Sequence, residues 1–151
     1  MNVAFIPVRG GSKSIPLKNI KPMCGKPLVY WTVAAACGCA KIDKVYVATD
    51  SEKIRETLLE VKQQEKNEAF QKLEVIGRSA ESASDTASTE FAMLEFANEH
   101  AFDHIVLIQA TSPLLTAEDL DRGFALYEEA DTDSVLSVVP VSYTHLRAHE
   151  T

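Results

Sequence analysis

Short apolar segments alternate with longer segments of helical pattern from the first residues to about residue 139. Five apolar segments are predicted strands: 2–8, 45–49, 73–77, 105–109 and 134–139. Four helices are predicted between them, at about 27–37, from 52 into the polar stretch 60–70, at 87–99 and at 116–130. This alternation predicts an α/β fold, a three-layer sandwich with helices on both faces of a mainly parallel, Rossmann-like sheet.

Residues with short polar side chains mark the starts of three of these helices. Asp50 or Ser51 is predicted to cap the second helix. Asp85 or Thr86 is predicted to cap the third helix in the same way. The fourth helix opens on the segment 116–119, which has the pattern of a capping box.

Apolar spacing predicts which parts of two elements are buried. The third helix is predicted to bury a stripe formed by Ala87, Phe91 and Leu94. Segment 105–109 is almost continuously apolar, which predicts a strand in the centre of the sheet.

Polar loops follow four of the predicted strands directly. They begin at Arg9, Asp50, Arg78 and Gln109. Ligands of open parallel sheets bind beyond the carboxyl ends of the strands, where these loops meet. The sequence therefore predicts a ligand site at this end of the sheet.

Charge is distributed unevenly along the chain. The formal net charge is −7, which argues against a general nucleic-acid binder. Residues 1–26 nevertheless hold five of the 15 basic residues and none of the 22 acidic ones. A basic loop on an acidic protein indicates a local anion site, and a solvated basic N-terminus is the alternative.

The segment Arg9-Gly10-Gly11-Ser12-Lys13 follows the first predicted strand. Its backbone N–H groups and two cationic side chains suit a polyphosphate, because together they offset several negative charges. The segment matches neither the GxxxxGK[ST] phosphate loop nor the GxGxxG dinucleotide loop. Taken alone, it is also compatible with a plain turn.

Four ordered segments carry a resemblance to a known family. They are Ile6–Lys13 with Ile15–Ile20, Ala48-Thr49-Asp50, Arg78 with Ser84–Ser88, and Leu107–Leu114. In order and spacing they resemble the N-terminal portion of the acylneuraminate cytidylyltransferases, the CMP-sialic acid synthetases. The resemblance covers about residues 1–140, which are predicted to form an incomplete CTP-binding core.

The resemblance implies roles for individual residues. The loop containing Arg9, Gly10, Gly11, Ser12 and Lys13 would bind the triphosphate of CTP. Lys18 and Asn19 would lie close to the phosphates and ribose. Arg78, Ala87 and Thr89 would line the pocket for cytosine and ribose, and Gln109 would reach toward the sugar acceptor. Arg9, Lys13 and Gln109 are the candidate catalytic residues.

The reaction implied by the resemblance is attack of a nine-carbon keto-sugar acid on the α-phosphate of CTP. Mg²⁺ is the expected cofactor, but the family's metal-binding aspartates lie downstream of residue 151, so its ligands here are unknown. Little or no turnover is therefore expected of these 151 residues alone. The full-length enzyme is expected to be a homodimer.

Two alternatives remain open from the sequence. One is a 3-deoxy-manno-octulosonate cytidylyltransferase, which also couples CTP to a keto-sugar acid. The other is a non-catalytic module that binds nucleotides or sugar phosphates. A nicotinamide dehydrogenase is disfavoured by the missing GxGxxG loop.

The ends of the chain carry two further expectations. Residues 141–151 break the alternating pattern and resemble the translation of a sequencing-library adapter, so they are predicted to be a non-native tail. The N-terminus lacks the pattern of a secretory signal, and no apolar run is long enough to span a membrane, which predicts a cytoplasmic protein.

Overall fold

The structure, a computed structural model, describes residues 1–11, 15–84 and 86–138. Its main sheet has four strands: β1 (Asn2–Val8), β4 (Lys44–Thr49), β5 (Leu73–Gly77) and β6 (His104–Leu107). Their order is β5-β4-β1-β6, and every pairing is parallel. A two-stranded antiparallel ribbon, β2 (Pro22–Met23) with β3 (Lys26–Pro27), lies apart from it. The predicted α/β fold with a mainly parallel sheet is confirmed.

Helices cover both faces of the sheet. The first face packs against α1 (Leu28–Gly38), α2 (Glu52–Gln64) and α4 (Ala117–Glu129), and the second packs against α3 (Thr89–Glu99). Both faces of the sheet need covering because both are apolar. In strand β1, for example, the side chains alternate between two hydrophobic cores. Ala4 and Ile6 belong to the first core, whereas Val3 and Phe5 belong to the second. The three-layer arrangement predicted from the sequence is therefore present.

The helix caps confirm some predictions and correct one. Ser51 caps α2 by accepting a hydrogen bond from the Ile54 N–H at 3.4 Å. The capping box of α4 is formed, since Thr116 and Asp119 bond each other's backbone N–H groups. Ser88, and not Thr86, caps α3, because its Oγ accepts the Phe91 N–H at 3.1 Å. Asp85 lies outside the described residues.

The apolar stripe predicted for α3 is wrong. Ala92 and Phe96 are the buried residues of this helix, whereas Phe91 is 43% exposed and Leu94 is 57% exposed. Apolar residues occur on both sides of α3, so spacing alone could not identify the inner face. The inner face of α3 is set by Phe96, which packs against the aromatic residues on the second face of the sheet. Ala87 precedes the helix and is partly exposed.

The fifth predicted strand is absent from the described part of the chain. Residues 134–138 form no strand, and Leu136 and Val138 are 83% and 79% exposed; Val139 lies outside the described residues. A strand requires a neighbour for its backbone hydrogen bonds, and none pairs here. As a result, β6 lies at an edge of the described sheet, and the prediction that it is central is wrong. Strand β6 also ends at Leu107, two residues before Gln109.

The long loop predicted for residues 9–26 contains short regular elements where it is described. A 3-10 turn covers Lys18–Ile20, and the β2–β3 ribbon follows it. Among the described residues, no helix combines the length and apolar character needed to cross a bilayer.

Candidate functional site

A cleft of about 310 Å³ opens beyond the carboxyl ends of β1, β5 and β6. Seven of the residues singled out from the sequence line it, together with four others. The described lining residues are Pro7, Arg9, Lys18, Asn19, Arg78, Ser84, Ala87, Thr89, Gln109, Ala110 and Thr111. Segments separated by more than 100 positions in the sequence, as Pro7 and Thr111 are, therefore meet in one cavity, at the end of the sheet where a ligand was expected.

Four predicted residues of the basic loop are not among the described residues that line the cleft. Gly10 and Gly11 are not among the residues that line the cleft. Ser12 and Lys13 lie outside the described residues, so their predicted contacts with a triphosphate stay predictions.

Hydrogen bonds from two other segments hold the start of this loop. The Asp50 carboxylate accepts the Gly10 N–H at 2.9 Å. Asn19, which is buried, donates from Nδ2 to the Arg9 carbonyl at 3.3 Å. Leu17 adopts a left-handed conformation, with φ of 50°, immediately before the turn that carries Lys18 and Asn19. The backbone around Arg9 is thus held by hydrogen bonds from two distant segments of the chain.

Glycine is required at position 10 because the backbone there lies close to Ser51, and not because its dihedral angles are unusual. A Cβ atom at this position would lie 2.8 Å from the Ser51 Cβ, which is closer than carbon atoms pack. At Gly11, a Cβ atom would meet nothing within 4 Å. The two adjacent glycines therefore differ sharply in what they tolerate.

We expect Gly10→Ala to destabilise the fold by about 1–3 kcal/mol, because the loop or the start of α2 must shift. The matched variant Gly11→Ala should change stability by less than about 0.5 kcal/mol. Urea unfolding followed by circular dichroism measures both values. Equal stability of the two variants would contradict the packing of Gly10 on Ser51.

Arg78 is held in the cleft by two hydrogen bonds to Ser82. Its Nε donates to the Ser82 hydroxyl at 3.2 Å, and its Nη2 donates to the Ser82 carbonyl. Burial lowers the pKa of Arg78, and the positive charge of Arg9 lowers it further, while the carboxylates of Asp50 and Glu95 raise it. An arginine stays protonated in proteins, so this side chain presents a fixed positive charge.

Three cations, Arg9, Lys18 and Arg78, therefore border one small cavity. An anion with several negative charges would be stabilised there by charge and by hydrogen bonds. Ala87 and Thr89 line the same cavity, where backbone groups and the small side chain of Ala87 suit a planar ring. The geometry suits a phosphorylated compound with a ring at one end.

The described residues do not form a metal site built from protein side chains alone. No group of three or more His, Cys, Asp or Glu side chains in ranges 1–11, 15–84 and 86–138 is arranged to hold a metal. The carboxylate nearest the loop, that of Asp50, already accepts the Gly10 N–H and interacts with Arg78. No chemical step is therefore assigned to a metal here.

Several residues of the site were not identified from the sequence. Pro7, Ser84, Ala110 and Thr111 line the cleft, and all four lie in segments that carry the family resemblance, although no role was predicted for them. Asp50 was predicted as a possible helix cap and as the start of a polar loop at the ligand site, and its carboxylate accepts the Gly10 N–H. The sequence signal for a role of Asp50 in the site was its position at the end of a predicted strand, beside the predicted ligand site.

Comparison with known proteins gives a family match and several relatives. The family model described as cytidylyltransferase matches residues 3–148. N-acylneuraminate cytidylyltransferase A of Danio rerio is 39% identical over 137 residues, which are 90% of this chain and 30% of that protein. N-acylneuraminate cytidylyltransferase of Streptococcus agalactiae is 32% identical over 138 residues, covering 89% and 31% of the two chains. The chain thus spans about 30% of the length of these relatives.

A solved structure shares the fold at low sequence identity. CMP:2-keto-3-deoxy-manno-octonic acid synthetase, solved with CTP, superimposes with a TM-score of 0.69 and 20% identity. The match covers 85% of this chain and 48% of that one. At this identity the likeness establishes the arrangement of the sheet and helices alone.

Proposed function

Because this chain belongs to the cytidylyltransferase family, we propose that it forms the CTP-binding part of an enzyme that activates a sialic-type, nine-carbon keto-sugar acid. The products would be a CMP-sugar and pyrophosphate. The observation that carries the proposal is the single cleft that gathers Arg9, Lys18 and Arg78 with Ala87, Thr89 and Gln109. The sequence relatives support the choice of sugar, since they are N-acylneuraminate cytidylyltransferases.

The proposed chemistry is an in-line transfer of a cytidylyl group. The anomeric oxygen of the sugar acid bonds to the α-phosphorus as the bond to the bridging β-phosphate oxygen breaks. Pyrophosphate leaves with the electron pair of the broken bond, and the anomeric hydroxyl loses its proton to solvent water. Such a transfer depends on positioning and on neutralising charge more than on covalent catalysis.

The cleft residues would have different roles in this transfer. Arg9 and Lys18, with Lys13, would stabilise negative charge on the phosphates as pyrophosphate departs. Gln109 can orient the sugar hydroxyl by hydrogen bonding, but its neutral amide cannot remove the proton. Mg²⁺, a cytoplasmic location and a homodimeric assembly remain expectations for the whole enzyme, as does weak or absent turnover by these 151 residues alone.

Two other functions would use the same cleft. A non-catalytic module would bind nucleotides there without turnover. A 3-deoxy-manno-octulosonate cytidylyltransferase would differ in the sugar acid and share the fold seen in the solved relative. The N-acylneuraminate enzymes are favoured because their identity to this chain is 32–39% over nearly its whole length.

Calorimetric titration of the chain with CTP, UTP, ATP and NAD tests the nucleotide assignment. We expect CTP to bind at least about tenfold more tightly than UTP, because a site that hydrogen-bonds the cytosine edge leaves groups unpaired when uracil enters. UTP is the matched control, since its ribose and triphosphate are identical. Equal affinities for CTP, ATP and NAD would contradict a cytidylyltransferase site.

A further inference from the structure

A chain of hydrogen bonds links the cleft to helix α3. It begins at Arg78, whose Nε donates to the Ser82 Oγ at 3.2 Å. It continues through the Ser82 hydroxyl, which lies 2.6 Å from the Glu95 Oε2. Ser82 is completely buried, so water does not reach the hydroxyl group that joins the two bonds. An arginine of the cleft and a glutamate outside it are thus joined by one hydroxyl group.

The direction of these bonds follows from the number of protons. The Ser82 hydroxyl has a single proton and two possible acceptors, the Glu95 carboxylate at 2.6 Å and the Ser79 carbonyl at 3.2 Å. The shorter, charge-assisted bond to the carboxylate is favoured. The Ser82 oxygen is then free to accept from Arg78, and each bond polarises the next. Hydrogen bonds from Ser79 and Ser82 also lower the pKa of Glu95, which keeps it ionised at neutral pH.

The bonds to Ser82 matter for the position of the Arg78 side chain, because Arg78 lines two cavities. One is the cleft, and the other, of about 580 Å³, lies between β5 and α3. Glu95 lines the second cavity and not the first. An arginine side chain has many rotamers, and ordering it during ligand binding costs free energy. Without its bonds to Ser82, the guanidinium would have space on either side.

We propose that Glu95 is a positioning residue for the nucleotide, which acts through Ser82 to hold the Arg78 guanidinium at the cleft. This proposal rests on the proposed function, since it assigns Arg78 to nucleotide binding. Neither Ser82 nor Glu95 lines the cleft, and the hydrogen bonds through Ser82 connect Glu95 to Arg78, which does line it. The same arrangement leaves less side-chain freedom to be lost when a ligand binds.

The hydrogen bonds from Glu95 through Ser82 to Arg78 are called the relay below. A double-mutant cycle, in which the Kd for CTP is measured for each variant, tests the relay. We expect Glu95→Gln to raise the Kd for CTP about fivefold, and to change it by less than about 1.5-fold in a chain that already carries Arg78→Ala. Glu99→Gln, an exposed carboxylate one turn further along α3, is the matched control and should leave the Kd unchanged. A merely structural role of Glu95 would give the same fold-change in both backgrounds.

A second measurement examines the relay without nucleotide. The Arg78 Nε–H resonance, identified in NMR spectra by its loss in Arg78→Ala, should exchange slowly with solvent. Glu95→Gln and Ser82→Ala should both accelerate that exchange, while Glu99→Gln should not. Unchanged exchange in both variants, or additive effects in the cycle, would overturn the relay while leaving CTP binding intact. Failure of the wild-type chain to bind CTP would instead contradict the proposed function, and with it the role of Glu95 in nucleotide binding.

Discussion

Replacement of Arg78 by alanine is expected to raise the Kd for CTP about 10- to 100-fold. A hydrogen bond to a charged partner contributes about 1.5–3 kcal/mol, and about 1.4 kcal/mol corresponds to a factor of ten. Arg78 should reach the upper part of this range because its side chain is already ordered by Ser82 and partly removed from water. Calorimetric titration at constant ionic strength measures the change.

The variant Arg78→Lys separates the charge of this residue from its geometry. Lysine keeps the positive charge but lacks the planar fork that can donate to Ser82 and to a ligand at once. Its Kd should therefore lie between those of the wild-type chain and Arg78→Ala. A lysine variant that binds as tightly as the wild type would show that charge alone is used.

Arg122→Ala provides the matched control for loss of an arginine. Arg122 is exposed on α4, pairs with Asp119 and does not line the cleft. Its removal should leave the Kd for CTP unchanged, and thermal unfolding should show that both alanine variants fold. If Arg78→Ala bound CTP as tightly as Arg122→Ala, Arg78 would not contact the nucleotide.

The parts of the fold that were predictable are those encoded by local patterns. Strand β1 alternates between two cores, and the capping box of Thr116 lies within four residues, so a single segment contains the information. The order of the strands is not local. Whether β6 is central depends on whether residues 134–139 pair with it, and backbone hydrogen bonding between distant segments is invisible in the apolar spacing of either one.

The same difference between local patterns and distant contacts explains which residues of the site could be predicted. Arg9, Arg78 and Gln109 were predictable because each lies at the carboxyl end of a predicted strand, and parallel strands end at the same edge of a sheet. The groups that hold them were not predictable. Asp50 meets Gly10 across 40 positions, and Glu95 reaches Ser82 only because α3 packs on the second face of the sheet. Nothing in the sequence around Glu95 distinguishes it from an exposed helical glutamate.

Replacement of Phe96 by alanine is expected to lower the free energy of unfolding by about 3–5 kcal/mol. Phe96 is buried at the centre of an aromatic cluster, with ring centroids 4.8 Å from Phe5, 5.0 Å from Tyr46 and 5.6 Å from Phe102. Total stability of a domain is only about 5–15 kcal/mol, so this loss would leave the chain close to unfolding. Urea denaturation measures it.

Leu94→Ala on the same helix is the control, and it separates the two possible inner faces of α3. Leu94 is mostly exposed, so its truncation should change stability by less than about 0.5 kcal/mol. The opposite result, with Leu94→Ala the more damaging variant, would restore the stripe of Ala87, Phe91 and Leu94. Since α3 also carries Thr89 and Glu95, a loosened helix should weaken CTP binding even where Phe96→Ala remains folded. That loss would occur although Phe96 does not line the cleft, because α3 reaches the cleft through Thr89 at its first turn.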